Sequence, residues 1–282
     1  MAKVYEALRR AEEERKRRSG EAGPAEPVEW EPAGARVQPS RPPFWRRWAR
    51  RLRPGRGRTA DVASDVNRRR ITMLQPDSYV AEQFRALRGR IDSLSSQRPI
   101  RSIAITSALP GEGKTTSAIN LAVVTAMSVG RRVLLVDCDL RKPKIHHSLG
   151  LRPEAGLAEV LTDTKSLDQA IIKVEGVNLE VLAVRGRPAN PSELLASTRM
   201  GELIEEMAQR YDRVVLDTPA ALGLPDAKIV CELADGLVVV VRADMTSNRD
   251  LQSTLELLDR ERVLGLLMNG AQVDQSRYGY TR

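Results

Sequence analysis

Cysteine is scarce in this chain of 282 residues: Cys138 and Cys231 are the only two. Two cannot make a disulfide scaffold, and both stand in apolar or acidic stretches suited to an interior in a reducing cytosol. Long hydrophobic runs are also missing. A stretch such as Leu237 to Val241 falls far short of the roughly 18 residues that span a bilayer, and the N-terminus has no apolar signal segment. A chain of this kind meets a membrane by lying on it or by binding something that crosses it. What it does have is apolar material, 41% of residues, which excludes a wholly disordered chain and suffices for one α/β core of roughly 200 residues plus extensions.

Acidic residues are outnumbered, 37 against 45 basic, for a formal charge of +8. The imbalance is local. Residues 1–70 hold 19 basic and 10 acidic residues, whereas residues 71–282 hold 26 and 27. A nucleic-acid-binding fold usually carries its basic face on the folded body, so no nucleic-acid partner is expected. The sequence therefore divides into a largely disordered basic leader (1–70), a folded domain (71–269) and a flexible tail (270–282).

The leader has three parts. Ala2 to Arg18 is rich in helix formers, with Val4, Leu8 and Ala11 on one face; residues 19–43 are rich in Pro, Gly and Glu and read as a linker. Phe44 to Arg53 follows two prolines and puts Trp45, Trp48, Ala49 and Leu52 on one side of a helix, opposite Arg46, Arg47, Arg50 and Arg51. Such a helix can lie in an anionic headgroup region; the same composition also suits a solvated basic linker.

From residue 77 onward, apolar β-rich runs alternate with helical stretches, which predicts a mostly parallel sheet flanked by helices on both faces. Strands are expected near 101–106, 133–136, 179–184, 213–217, 237–241 and 263–268, and helices near 78–95, 114–129, 192–209, 226–233 and 247–259. The first strand runs through ALPGEGKTT into an apolar helix, the strand–loop–helix setting of a P-loop NTPase. Gly111 and Gly113 let backbone amides close on phosphates at a helix N-terminus, Lys114 reaches the β- and γ-phosphates, and Thr115 binds Mg²⁺. Ala108 stands where the pattern has its first glycine. Asp137 and Asp139 in VLLVDCDLR, and Asp217 in VVLDTP, follow apolar strands at the end where ligands of open α/β sheets bind. Each alone could be a turn former; three beside a P-loop are better explained as holders of Mg²⁺.

Together, residues 108–115, VLLVDCDLR and VVLDTP resemble the Walker A, A′ and B motifs of bacterial tyrosine kinases of the CpsD/CapB type, associated with polysaccharide synthesis and export. The resemblance covers about residues 71–282, and its most specific part is the A′ pair of aspartates followed by Arg141. It implies an ATP–Mg²⁺ autokinase. Pro110, Gly111, Glu112, Gly113, Lys114, Thr115 and Thr116 would hold ATP. Thr115, Asp139 and Asp217 would organise Mg²⁺, Arg141 would complete the catalytic set, and Asp137 would position or deprotonate a tyrosine hydroxyl. Tyr278 and Tyr280, two of only five tyrosines, would be the tail sites phosphorylated in trans by a neighbouring subunit. Glu82, Arg85 and Arg88 match the family's E-x-x-R-x-x-R oligomerisation motif; a solvated helix face would look the same. A homo-oligomer, in the form of a ring, is implied, as is a membrane-spanning polysaccharide co-polymerase that activates the kinase. The expected location is cytoplasmic, at the inner face of the membrane. One departure in the B motif stands out, Ala220 in place of a usual proline; Asn269, after the last strand, is a weak candidate for the adenine. A positioning ATPase of the MinD/ParA type is the rival reading, but its signature lysine early in the loop is replaced here by Leu109-Pro110.

Overall fold

The computed structural model describes residues 77–271. The leader, with its Trp/Arg segment, and Tyr278 and Tyr280 lie outside the described residues.

Helix α1 (Tyr79–Ser95) starts where the Ser78 hydroxyl accepts a hydrogen bond from the Ala81 amide, the usual way to satisfy a first-turn donor. It buries Ala81, Phe84 and Ile91, with Val80, Leu87 and Leu94 packed partly against the same cluster. Strand β1 (Ser102–Ser107) leads through the glycine-rich loop into α2 (Lys114–Ala126). α2 is buried on nearly every side because it lies between α1 and the sheet and touches β1, β2 and β5.

The chain continues as β2 (Val133–Asp137), α3 (Ile145–Leu149), α4 (Leu157–Leu161), α5 (Leu167–Ala170), β3 (Ile171–Val174) and β4 (Leu179–Leu182). It then forms α6 (Pro191–Leu195), α7 (Thr198–Arg210), β5 (Arg213–Asp217), α8 (Pro225–Leu233), β6 (Gly236–Arg242), α9 (Asn248–Leu257) and, after one 3-10 turn, β7 (Val263–Asn269). The seven strands are ordered β3-β4-β2-β5-β1-β6-β7. All pairs are parallel except β3 with β4. Every residue of β1, β2 and β5 is buried, as expected of parallel strands covered on both faces.

The predicted strands are all present. β3 was not expected: four residues at an antiparallel edge give too short a pattern to read. The single helix expected over 192–209 is two, because Ser197 adopts an extended backbone and caps α7 by accepting from the Met200 amide.

Candidate active site at the C-terminal edge of the sheet

Register decides where the chemistry collects. Ile105 of β1 lies opposite Asp217 of β5, and Asp217 lies opposite Asp137 of β2. The ends of three adjacent parallel strands therefore deliver the glycine-rich loop and two carboxylates to one edge.

The loop itself depends on two glycines. Gly111 and Gly113 have φ of +90° and +99°, the left-handed region that other residues enter only at a cost. A Cβ on Gly113 would also come within 2.0 Å of the Asn269 amide nitrogen. Ala108 is not among the residues with positive φ and is buried, so this position has no need of glycine. Glu112 is fully buried. Its carboxylate accepts from the Leu109 amide at 2.7 Å and from the Thr246 hydroxyl, which turns the side chain away from the loop mouth. Pro110 is exposed and Thr116 partly so, while Lys114 and Thr115 are nearly buried.

Lys114 Nζ lies 3.5 Å from Asp139 Oδ2, a loose pairing, while Asp139 Oδ1 accepts from the Lys142 amide at 2.9 Å. Asp217 is different. It is fully buried and neither carboxylate oxygen has a hydrogen-bond partner. Burial pushes its pKa up, and the charge of Lys114, then the neighbouring Thr115 hydroxyl, which lies outside good hydrogen-bond geometry, oppose the rise. An orphaned buried carboxylate is costly unless something else neutralises it. Beside a lysine, a buried threonine hydroxyl and a phosphate-binding loop, a hard cation fits that need. Among the described residues no cluster of three or more His, Cys, Asp or Glu forms a self-sufficient metal cage.

The remaining predicted residues have other engagements. Asp137, fully buried, is turned inward onto its own loop: Oδ2 accepts from the amides of Lys144 and Ile145, both at 3.0 Å, and Oδ1 from the Asp139 amide at 3.2 Å. Burial, then the charge of Asp217, raises its pKa. It thus holds the loop that carries Asp139. Arg141 donates to Asp226 at 2.6 Å and to Ser192 at 2.8 Å, tying α6 and α8 to the loop after β2 rather than standing free for a phosphate. Burial would raise Asp226, but hydrogen bonds from Arg141 and Ser192 hold its pKa low.

Away from this edge, Arg85 pairs with Glu82 on the surface of α1. Arg88 reaches across to α2, donating to the Val124 carbonyl at 2.8 Å and the Ser128 hydroxyl at 2.6 Å. Ala220 leaves its loop ordered without proline, since the amides of Thr218, Ala221 and Leu222 donate to carbonyls of Ile105, Ser107 and Ala108. Asn269 donates to the Glu112 carbonyl at 2.8 Å. Arg242 and Thr246, which contact the same loop, had no local signal: the segment after β6 carries no motif, and only folding brings it to residue 112.

Residues 100–263 match the family model described as an AAA domain. Among curated proteins, the chain is 41% identical to the tyrosine-protein kinase YwqD of Bacillus subtilis over 81% of its own length and 95% of that protein. The chain belongs to the bacterial tyrosine-protein kinases. The fold of this kinase agrees. It superimposes on the kinase domain of the Escherichia coli tyrosine kinase ETK with a TM-score of 0.68 at 30% identity, covering 72% of this chain and 82% of that one. A cell-division ATPase MinD from Pyrococcus furiosus is more distant, with a TM-score of 0.54 and 26% identity over 62% of this chain and 74% of that one. Another relative, the succinoglycan biosynthesis transport protein ExoP of Rhizobium meliloti, is 36% identical over 73% of this kinase. The match spans only 27% of ExoP. Membership of this P-loop family implies that the kinase binds a nucleotide.

Proposed function

We propose that this kinase transfers the γ-phosphoryl group of ATP to Tyr278 and Tyr280 of a neighbouring copy, within an oligomer that regulates polysaccharide synthesis or export. The observation that carries the reading is the unpartnered Asp217 carboxylate beside Lys114 and Thr115. Bound Mg²⁺ would neutralise phosphate charge, held by Asp217, Asp139 and the Thr115 hydroxyl. In the transfer, a bond forms between the phenolic oxygen and the γ-phosphorus, and the bond to the β–γ bridging oxygen breaks. ADP departs and the phenolic proton is released. A phenol with a pKa near 10 needs little help from a base in a loose transition state, so positioning dominates. Asp139, 3.5 Å from Lys114, is assigned with Asp217 to the metal, and Asp137 to positioning the incoming hydroxyl. Asp137 also holds its loop through main-chain amides, and Arg141 fixes that loop against α6 and α8.

Among the described residues no helix is long and apolar enough to cross a membrane. The proposed partner is a membrane-spanning polysaccharide co-polymerase, which would hold the kinase at the inner membrane face, with the Trp/Arg segment 44–53 on anionic lipid. The name of ExoP supports the polysaccharide context. Glu82 and Arg85 are assigned to contacts between copies. The test is labelled ATP with Mg²⁺ and the activating partner. Wild type should label tyrosine, while Lys114→Met and the double Tyr278→Phe/Tyr280→Phe variant should not. Tyrosine that stays unlabelled in the wild type would sink the proposal and favour a MinD/ParA-type ATPase.

A further inference from the structure

A buried anion inside an anion-binding loop needs a physical account, and Glu112 is one. Its carboxylate lies behind residues 108–115, is fully buried, and faces no cation among its hydrogen-bond partners. Two donors hold it: the Leu109 amide from within the loop and the Thr246 hydroxyl from the turn after β6.

That turn grips the loop at further points. Arg242 Nη1 donates to the Gly111 carbonyl at 2.8 Å, and Asn269, at the end of β7, donates to the Glu112 carbonyl at 2.8 Å. The turn is itself internally tied. The Arg242 amide donates to Thr246 Oγ1 at 2.9 Å, the Thr246 amide donates to the Arg242 carbonyl at 3.0 Å, and the Ala243 amide donates to the Asn269 carbonyl at 2.9 Å. Asp244 takes a φ of +61° within it, a conformation uncommon outside glycine and tolerated best by Asp and Asn. Thr246 Oγ1 thus receives one hydrogen bond and donates its only proton to Glu112.

We infer that Thr246, with Arg242 and Asn269, forms a clasp that positions the phosphate-binding loop from outside, and that Thr246 is a positioning residue acting through Glu112. Arg242 of β6 and Asn269 of β7 fix the carbonyls of Gly111 and Glu112, and thereby the direction of the peptide amides that follow them, while Thr246 in the turn holds the Glu112 side chain. Removing the Thr246 proton leaves a buried carboxylate with one donor fewer next to a site for phosphates. The carboxylate then reorients, and the amides lose their fixed aim.

The inference rests on the nucleotide-binding reading, and its test separates the two. ATP affinity of the full chain is measured with Mg²⁺ for wild type, Thr246→Val, Thr246→Ser, Glu112→Gln and the double variant Thr246→Val/Glu112→Gln, with apo melting temperatures alongside. Thr246→Val, nearly isosteric, should weaken ATP binding about tenfold and lower the apo melting temperature by a few degrees, and Thr246→Ser should restore both. In the double variant the two losses should not add, because both act through one contact. If Thr246→Val binds ATP within twofold of wild type, if it loses only thermal stability, or if the losses add fully, the clasp is wrong. If wild type itself fails to bind ATP, it is the nucleotide-binding reading that falls.

Discussion

At the scale of single residues, Asp217 sets the chemistry and the stability of the site against each other. Its carboxylate is buried without a hydrogen-bond partner, and burial raises its pKa, so the charge that would attract a cation destabilises the protein without one. Asp217→Asn should therefore stabilise the apo protein by about 1 kcal/mol or more, about 2–4 °C in melting temperature for a domain of this size. The same variant should lose the stabilisation that wild type gains from Mg²⁺ and ATP. The pH dependence has a definite sign. A carboxyl whose folded pKa is raised contributes stability that is complete below its unfolded value, near 4, and is lost as pH rises through the folded value. The gap between variant and wild type should be small near pH 4 and widen toward neutrality. Thermal melts at several pH values, with and without Mg²⁺ and ATP, would measure it; a gap that narrows as pH rises would refute the assignment.

Asp139 and Asp137 show how two residues that look alike in sequence part company in the fold. Both follow β2, yet one pairs with Lys114 while the other accepts three main-chain amides. Their spacing of two places both at the strand end. Only the path of residues 139–145, which folds back over Asp137, decides which of them meets solvent.

At the scale of elements, α1 carries two kinds of charged residue within one motif. Glu82 and Arg85 lie on the helix surface as a pair, whereas Arg88 donates to the C-terminal turn of α2, the helix that begins with Lys114. Late helix carbonyls lack partners within their own helix, and a cation there is favourable. Arg88→Ala should cost about 1–2 kcal/mol in urea unfolding. Glu82→Ala should leave the unfolding midpoint close to wild type and lower the mass of the oligomer in solution. An unchanged mass would remove α1 from the contacts between copies. Likewise, Ser197 separates α6 from α7 by one capping hydrogen bond, a break that helical periodicity passes over because both halves bury apolar residues.

For the molecule as a whole, the excess positive charge lies before residue 71, and the remainder is near neutral. In the proposed function the body would bind its anion through a local loop of amides and one lysine rather than through a broad basic surface. Deleting residues 1–70 should sharply reduce sedimentation with anionic lipid vesicles while leaving ATP affinity within about twofold of the full chain. If both fall together, the leader is part of the nucleotide site and the division fails.

Much of this was legible in the residues alone. Strand and helix order follows from apolar periodicity, and the glycine-rich loop, Lys114 and the strand-end aspartates announce themselves by local spacing, since a phosphate loop is built from consecutive residues. The resemblance to bacterial tyrosine kinases rests on the same short motifs, which explains why the comparisons agree with it. What only the tertiary structure decided is every relation across sequence distance. These are the register that sets Asp137 beside Asp217, the turn of Arg141 toward Asp226, the bridge from Arg88 to α2, and the approach of Thr246 to Glu112. Such contacts depend on how strands align and how loops close over the sheet edge. No local preference encodes them, because the free energy that selects them is shared across the packed core.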